Sequence, residues 1–424
     1  EEWYYFKSNG KRAENEKITY KGKTYYFDTD GIMLTGWVNT GDGTSAVNEA
    51  TGYDADHTFY CDETGARVEG AWVKDVEPGT DDDDADADEY WYYLKKATGK
   101  PATGKQSNIS GQIYLFNTKG QMQYGWVARS NSTTKEFVQL DEEDDEQAMV
   151  LLSDPENKDS EVYYCGDEDD GHAKKNKWLK TWLPDDTNEE EDDMKWFWFD
   201  KNGKLYRASG SNAVKAQKYK LEEGKLIYDG SEITGVDKKK VNSKDYWFRP
   251  DGAMLSKFYE ISNKMYYFGG SDDGSMKTGS QSVKDNTGDT YKFYFETKTG
   301  NNKGAGITGN QSNKLYYYGM LIQADDYKYQ VATISDNGTD YKFVVNSNGS
   351  IQHSYGTTYK EDGENLIKVG DEIKYDKDGN YVSGTAKYET SGAYKYGFTS
   401  GVDSLVDDVD MSKFIEGKNG FVLK

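Results

Sequence analysis

Short runs of four aromatic, β-branched or other apolar residues recur along the chain, and a glycine follows each run at a fixed distance. In five copies the glycine lies four residues after the last member of the run: Trp3–Phe6 with Gly10, Thr24–Phe27 with Gly31, Thr58–Cys61 with Gly65, Ile113–Phe116 with Gly120 and Trp196–Phe199 with Gly203. Such a run, closed by polar turn residues and a glycine, predicts a β-strand that enters a tight turn. Glycine is favoured there because the backbone takes a positive φ.

The same frame returns elsewhere, so the repeat covers nearly the whole sequence. Further copies keep the spacing or carry one or two extra turn residues: Phe248 with Gly252, Val345 with Gly349, Tyr375 with Gly379, Leu94 with Gly99, Cys165 with Gly171, Phe268 with Gly274 and Phe295 with Gly300. After several glycines a second apolar segment ends in Gly-Trp, as at Ile32–Trp37 and Gln121–Trp126. One unit is therefore a β-hairpin of about 20 residues with a connector, and since a lone hairpin is marginal in water, we predict an all-β fold in which hairpins stack as a solenoid.

The most complete copy, Tyr25–Trp37, is Tyr-Tyr-Phe-Asp-Thr-Asp-Gly-Ile-Met-Leu-Thr-Gly-Trp. It resembles the cell-wall-binding repeat family, which includes the choline-binding modules of Gram-positive surface proteins and the related glucan-binding and clostridial-toxin repeats. The resemblance extends over roughly residues 1 to 390. It implies a superhelical β-hairpin solenoid with ligand sites between successive hairpins and no catalysis in the repeats.

Two hairpins carry tryptophans on both strands and are the best candidates for an aromatic cage. They are Trp72 with Trp91 and Trp178 with Trp196. The first member of each pair occupies the Gly-Trp position, although the residue before Trp178 is Lys177 instead of a glycine. In the family a Tyr of the next hairpin closes the cage, which here would be Tyr114. Such a cage suits a quaternary ammonium, because a cation over ring faces is attracted without hydrogen-bond partners.

Two further pairs, Trp37 with Tyr60 and Trp126 with Tyr164, are predicted to form poorer, partial cages. For each of these tryptophans the alternative is a place in the core, since aromatic residues at a period of two in stacked hairpins mostly pack against one another.

The pattern predicts three segments. Residues 1–210 form an N-terminal array with Gly-Trp units and acidic inserts, residues 211–390 a degenerate Tyr-rich array, and residues 391–424 an atypical C-terminal cap. Beyond Trp178 no Gly-Trp occurs, and Phe258 takes the Trp position after Gly252. The second array is interpreted as a spacer or as a glucan-type surface in which Tyr rings stack on sugars. Within the cap, Val402–Val406 is a candidate for a short helix or for the capping element itself.

Charge is concentrated in four inserts. The chain of 424 residues has a net charge of -23. The inserts together hold 26 acidic residues and no Lys or Arg; they are Asp75–Glu89, Asp141–Glu146, Asp167–Asp170 and Asp185–Asp193. The rest of the chain has 49 acidic and 52 basic residues, which gives it a net charge of +3. Three interpretations stay open. The inserts are solvated loops that keep an aromatic surface soluble, or they bind Ca²⁺, or they concentrate cations near the cages or bind a basic partner.

Several classes of protein are excluded or disfavoured. An aromatic content of 15% argues against intrinsic disorder, and the acidic surface argues against nucleic-acid binding. No stretch approaches the length of a transmembrane helix, so no membrane insertion is expected. No metal-ligand spacing, cofactor motif or catalytic motif is present, so neither a metal site of His or Cys nor a cofactor nor enzymatic activity is predicted. Cys61 and Cys165 occupy inward-facing strand positions and are expected to be buried free thiols.

These features predict a secreted, non-catalytic binding protein of the cell wall or cell surface. It would cage choline groups of teichoic or lipoteichoic acid between hairpins of the first array. One alternative is an α-glucan or other polysaccharide-binding module, and another is a structural adhesin or spacer whose acidic loops bind Ca²⁺ or a basic partner. Glu1–Trp3 does not have the form of a signal sequence, so we expect that a signal peptide was removed.

Overall fold

The computed structural model describes residues 2–40, 46–80, 86–129, 136–140, 160–184, 194–209, 212–324, 328–336 and 339–352, followed by seven short strands up to residue 423. All regular secondary structure in this part of the chain is β, which confirms the predicted all-β class. No helix there is long and apolar enough to cross a bilayer. The chain forms two compact units. Unit 1 comprises Glu1–Ser211 with Pro250–Met254, and unit 2 comprises Asn212–Arg249 with Leu255–Lys424.

Unit 1 contains fourteen strands among its described residues. They are β1 (Glu16–Tyr20), β2 (Lys23–Phe27), β3 (Gly36–Asn39), β4 (Asn48–Glu49), β5 (Thr58–Cys61), β6 (Ala71–Val76), β7 (Glu89–Leu94), β8 (Gly104–Ile109), β9 (Gln112–Phe116), β10 (Trp126–Arg129), β11 (Phe137–Leu140), β12 (Glu161–Tyr164), β13 (Lys177–Thr181) and β14 (Lys195–Phe199).

Unit 2 contains the remaining strands. They are β15 (Lys215–Glu222), β16 (Lys225–Thr234), β17 (Asp237–Val241), β18 (Lys244–Phe248), β19 (Phe258–Ile261), β20 (Lys264–Tyr267), β21 (Gly279–Lys284), β22 (Thr290–Phe295), β23 (Gly309–Gln311), β24 (Lys314–Tyr317), β25 (Met320–Leu321), β26 (Tyr329–Asp336), β27 (Thr339–Asn346), β28 (Ile351–Gln352), β29 (Thr357–Lys360), β30 (Leu366–Lys368), β31 (Lys374–Tyr375), β32 (Tyr381–Ser383), β33 (Leu405–Val406), β34 (Phe414–Gly417) and β35 (Gly420–Leu423).

Each Gly-Trp segment of unit 1 begins a strand that pairs antiparallel with the next aromatic run. The hairpins are β1–β2, β3–β5, β6–β7, β8–β9, β10–β12 and β13–β14, and β4 and β11 add a short third strand to two of them. Side chains on one face of a hairpin pack on the next hairpin, as where the ring of Tyr26 stacks on Phe59 at 5.6 Å between centroids. The hairpin repeat predicted from the spacing is therefore confirmed.

The turn after each aromatic run explains why a glycine recurs there. Asp28 accepts a hydrogen bond from the Ile32 amide at 2.8 Å, and the chain reverses through Gly31, which has a φ of +72°. At Gly171 the reason is also steric, because a Cβ would lie 2.2 Å from Met122 Sδ. Every repeat glycine in the described residues has a positive φ, as predicted, while Gly379 lies outside them.

Successive hairpins are joined by a recurring backbone hydrogen bond. The residue two places after a repeat glycine donates its N–H to the backbone carbonyl of the first residue of the aromatic run one repeat earlier. Examples are Met33 to Trp3 at 2.8 Å, Met122 to Trp91 at 2.8 Å, and, within unit 2, Met276 to Asp245 at 2.8 Å. The stack is thus held by main-chain bonds as well as by buried rings, which fixes the spacing between neighbouring hairpins.

The smaller predictions have mixed outcomes. Cys61 and Cys165 are buried free thiols as expected, and burial raises the pKa of the Cys61 thiol to about 12. Residues 405–406 form strand β33, so the option of a short helix at Val402–Val406 is wrong where the chain is described. The division at residues 210 and 390 stays a prediction, and most of 391–424 lies outside the described residues.

Candidate functional site

Trp72 and Trp91 lie on the two strands of hairpin β6–β7. Trp72 is directly opposite Tyr93, and Trp91 is opposite Lys74. Since alternate residues of a strand share a face, Trp91 and Tyr93 both flank the Trp72 ring. The two indoles approach edge to face, with centroids 6.4 Å apart and planes at 87°. They therefore form two adjoining walls at nearly a right angle.

Tyr114 on the following hairpin, β8–β9, supplies a third wall. Its ring lies 4.8 Å from Trp72 at 63°, and Phe116 stacks on Trp72 at 5.8 Å. Phe116 is fully buried, whereas Trp72, Trp91 and Tyr114 are half-buried. The structure thus brings together the three residues that the sequence assigned to the first cage.

The three rings border a cavity of about 180 Å³ that is open to solvent on one side, and Met122, Asp169 and Asp170 complete its lining. Sites for drug-sized ligands usually have volumes of about 300–1,000 Å³. The cavity is smaller than that, so its size suits a compact head group. Two of its six lining residues are anionic and none is basic, which favours a cation.

The carboxylates come from the acidic run Asp167–Asp170. The indole Nε1 of Trp91 donates a hydrogen bond to Asp169 Oδ1 at 3.2 Å. Asp170 is held by Lys174 Nζ at 2.8 Å and contacts the His172 ring. Burial raises the pKa of Asp170, but the hydrogen bonds from Lys174 and His172 outweigh it and keep that pKa below its usual value. The carboxylate is therefore charged at neutral pH.

Lys74 shows that this surface attracts a cation. Its Nζ lies 5.9 Å from the centroid of the Trp91 ring, 3.4 Å from Glu168 Oε1 and 3.7 Å from Asp169 Oδ1. The hydrogen bond to Glu168 raises the pKa of Lys74, so its ammonium keeps its charge. An ammonium over an indole and beside two carboxylates is the arrangement that a bound cation would adopt.

The second predicted pair, Trp178 and Trp196, has the same register as the first. Trp178 is opposite Trp198, with ring centroids 5.4 Å apart, while Trp196 is opposite Lys180. Trp178 and Trp196 are half-buried, and Trp198 is buried. The acidic insert 185–193, in the loop between these strands, lies outside the described residues. Ligand contact at this hairpin stays a prediction.

The two predicted partial cages are filled by protein. Trp37 contacts Tyr60 at 5.0 Å and is only 8% exposed, because Tyr92 of the next hairpin lies 4.7 Å away on its other side. Trp126 contacts Tyr164 at 5.3 Å and is 6% exposed. Both tryptophans are buried in the core, and ligand contact at these two pairs stays a prediction.

Sequence reasoning missed several residues of the cage. Tyr93 could have been found from the two-residue alternation with Trp91, and Met122 from its place two residues after a repeat glycine, which Met33 shares. Asp169 and Asp170 were recognised as part of an acidic insert, but no sequence signal placed them beside Trp91, which is 78 residues from Asp169.

Within the described residues, no group of three or more His, Cys, Asp or Glu side chains is arranged to hold a metal ion. The acidic inserts at 141–146 and 185–193, and residues 81–85 of the first insert, lie outside those residues. Calcium binding by the inserts therefore stays a prediction.

Comparison with known proteins confirms the resemblance to cell wall repeats. A family described as "Putative cell wall binding repeat" matches residues 1–11 and 18–33. Glucosyltransferase-I of Streptococcus downei is 25% identical over 479 residues, covering 99% of this chain and 26% of the relative. The chain thus spans about a quarter of the length of that relative.

Solved structures of streptococcal proteins are also similar. The choline binding protein F from Streptococcus pneumoniae is 18% identical to this chain, and the match covers 83% of this chain and 99% of that protein's chain, with a TM-score of 0.26. The modular autolysin LytC from the same species is 17% identical and covers 83% of this chain and 51% of its own, with a TM-score of 0.36.

Proposed function

We propose that the chain is a non-catalytic binding module of the bacterial cell envelope, and that its Trp72–Trp91–Tyr114 cage holds a quaternary ammonium such as the choline of teichoic or lipoteichoic acid. The observation that carries this proposal is the cavity itself. Three aromatic side chains and the carboxylates of Asp169 and Asp170 line one small space.

A quaternary ammonium fits this space for two physical reasons. It has no N–H to donate, so it gains nothing from the hydrogen-bond acceptors that select Lys or free ammonium, yet ring faces still attract it. The carboxylates of Asp169 and Asp170 add attraction without having to contact it directly. Desolvation by the rings strengthens both effects, since charges interact more strongly away from water.

The envelope is the setting that the repeats favour. The cell wall binding repeat matches residues 1–11 and 18–33, and the similar proteins come from streptococci. We therefore propose a secreted protein retained at the cell wall or cell surface. The similarity to Glucosyltransferase-I involves about a quarter of that protein, and we propose that this chain binds and does not catalyse.

Isothermal titration of the full chain with choline chloride tests the proposal. We expect saturable heat at millimolar choline, and tetramethylammonium should compete with it whereas sodium at the same ionic strength should not. No heat with the folded protein would overturn the proposal. A clearly raised Kd in Trp91→Ala, with Trp3→Ala unchanged, would support the cage as the site.

A second candidate function is polysaccharide binding by the same rings. It is favoured by the match to Glucosyltransferase-I over 99% of this chain. Retention of the protein on insoluble α-glucan, with no release by choline, would select this function. The third alternative, an adhesin or spacer whose acidic loops bind Ca²⁺ or a basic partner, predicts a melting temperature that rises with Ca²⁺ and falls back with a chelator.

A further inference from the structure

Hairpin β17–β18 of unit 2 has the strand register of the cage hairpin β6–β7 but different side chains. In β6–β7, Trp72 is opposite the third member of the aromatic run, and Trp91 is the first member. In β17–β18 the residues at these two places are Lys238 and Asp245. An ammonium and a carboxylate thus replace the two tryptophan walls of the cage.

Backbone contacts with the following repeats show that the two places correspond. The Met276 amide donates to the Asp245 carbonyl at 2.8 Å, which is the bond that the Met122 amide makes in the cage hairpin. A Cβ at Gly304 would lie 2.6 Å from Met276 Sδ, just as a Cβ at Gly171 would meet Met122. Gly304 therefore takes the place of Gly171 in the equivalent site of unit 2.

The residues before these two glycines differ in charge. Asp169 and Asp170 immediately precede Gly171 and line the cage. Asn302 and Lys303 immediately precede Gly304. An amide and an ammonium thus lie where the cage has two carboxylates, so the site in unit 2 has the opposite sign of charge.

Three lysines surround the single carboxylate of this site, Asp245. Lys303 Nζ lies 2.8 Å from Asp245 Oδ2, and the Asp245 side chain is only 11% exposed. The hydrogen bond from Lys303 lowers the pKa of Asp245 against the effect of burial, and the charges of Lys240 and Lys238 lower it further. Lys238 and Lys240 are exposed, and within the described part of unit 2 neither is in an ion pair. Asp245 therefore neutralises one ammonium and leaves two for a ligand.

The surrounding sequence is also basic. Residues 212–320 hold 17 basic and 13 acidic residues, whereas the acidic inserts hold the excess negative charge of the chain. Lys264 Nζ donates to Asn302 Oδ1 at 2.6 Å and adds another ammonium next to Lys303. Exposed charges more than about 10 Å apart are largely screened at 0.1 M salt, so these lysines affect a ligand here more than the net charge of -23 does.

We propose that the lysine face, defined as Lys238, Lys240 and Lys303, binds the phosphodiester backbone of an anionic envelope polymer. Lysine ammonium groups bind phosphate oxygens as point charges. Two residues of a strand span about 6.5 Å, so Lys238 and Lys240 can contact different phosphates of one chain. Lysine is depleted in protein–protein interfaces, which favours a polyanion over an acidic protein. The choice of an envelope polymer rests on the proposed function, whereas the phosphate chemistry rests on the lysines.

The test is calorimetric titration of the full chain with a synthetic glycerol phosphate oligomer, with poly-L-glutamate and a single-stranded DNA oligonucleotide of equal charge as comparisons. We expect saturable binding of the oligomer at 50 mM NaCl and a fall of about 15-fold in affinity at 200 mM, since three phosphate contacts give a logarithmic salt slope of about -2. No binding at 50 mM NaCl, or binding of either comparison at least as tight, would overturn the proposal. Choline titrated in parallel reports on the cage alone, so failure of the lysine face is distinguishable from failure of the proposed function.

Two variants locate the polymer. Lys238→Ala and Lys240→Ala should each weaken binding of the oligomer about two- to fivefold and make the salt slope shallower by about 0.7. Lys244→Ala is the matched control, because Lys244 is an exposed lysine of the same hairpin but directly precedes Asp245 and so lies on the other face of its strand. All three variants remove one positive charge, and thermal unfolding shows whether each keeps the fold. Unchanged binding by both face variants, or an equal loss in Lys244→Ala, would overturn the assignment.

Discussion

Replacing Trp91 by alanine separates ligand binding from folding better than any other change in the cage. Trp91 is half-buried, and its ring contacts Trp72 only edge to face at 6.4 Å. Trp72 packs in addition on Tyr93, Tyr114 and Phe116, so its truncation would cost about 3–5 kcal/mol of stability. The Trp91 carbonyl, which accepts the Met122 amide, is retained in Trp91→Ala.

The expected loss of choline affinity follows from the burial of the ring. A cation over an exposed aromatic face gains about 0.5–1 kcal/mol and over a desolvated one about 2 kcal/mol or more. For the half-buried Trp91 we take about 1–1.5 kcal/mol, which corresponds to about a 5- to 12-fold rise in Kd. Trp72, Tyr114 and the carboxylates remain in the variant, so binding should be weakened and not abolished.

The assay is calorimetric titration with choline, together with thermal unfolding of each variant to show that the fold is intact. Trp3→Ala is the matched control. Trp3 is also the first residue of its aromatic run and its carbonyl also accepts a backbone amide, but its side chain is 63% exposed. If Trp91→Ala binds choline as tightly as the unaltered protein, or if Trp3→Ala loses as much affinity, the cage is not the site.

Three further predictions concern the surroundings of the cage. Lys74→Met should tighten choline binding about two- to fivefold in titrations at low salt, because it removes a competing ammonium from Trp91 and Asp169. Weaker choline binding by this variant would contradict the prediction and show that Lys74 helps to form the site. Gly171→Ala should lower the melting temperature more than Gly125→Ala. Both substitutions add about 1–2 kcal/mol of strain from a left-handed backbone, but only a Cβ at Gly171 also clashes with Met122. Equal falls in melting temperature would refute the steric argument. Choline affinity should be constant from pH 7 to about 5 and should fall only below about pH 4. Burial raises the pKa of Asp170, but the hydrogen bonds from Lys174 and His172 keep that pKa below its usual value, so the carboxylate stays charged over this range. Titrations that show a fall in choline affinity near pH 6 would contradict this prediction. Because the pKa of Asp170 is lower in the folded than in the unfolded protein, this carboxylate stabilises the fold at pH values above its pKa in the unfolded state. That stabilisation is lost as the pH falls through its pKa in the folded state.

The sequence was informative wherever a structural requirement is local. The positive φ of the repeat glycines, the pairing of Gly-Trp strands with the next aromatic run and the burial of Cys61 and Cys165 each depend on residues within one hairpin and its turn. Periodicity alone could not distinguish Trp196 from Trp198 as the residue opposite Trp178. Trp196 and Trp198 are two positions apart and therefore lie on the same face of the strand, so only the pairing register determines which of them is opposite Trp178.

What lies beside a hairpin depends on the superhelix, and the chain does not encode that as a spacing. Asp169 reaches Trp91 from a turn after β12, while Trp91 belongs to β7. The acidic inserts were identified by composition as carriers of the net charge. In the structure one of them, Asp167–Asp170, is also a wall of the candidate site.

The hairpin that follows each Gly-Trp residue decides whether its ring is open or closed. The indole N–H of Trp37 is taken by the carbonyl of Val76 at 3.0 Å, and that of Trp126 by the carbonyl of Trp182 at 2.9 Å. Both carbonyls belong to hairpins with long connecting loops, β6–β7 and β13–β14, at the point where the chain enters the loop.

Trp72 is followed instead by β8–β9, which reverses within Ser110 and Gly111 and has no such extension. Its ring therefore borders a cavity, although Tyr114 lies as close to it as Tyr92 lies to Trp37. The length of the next loop, more than the identity of the aromatic residues, thus determines which repeats keep a ring face for a ligand. A short hairpin after a Gly-Trp strand is then the sequence signal by which an open cage could be recognised among otherwise similar repeats.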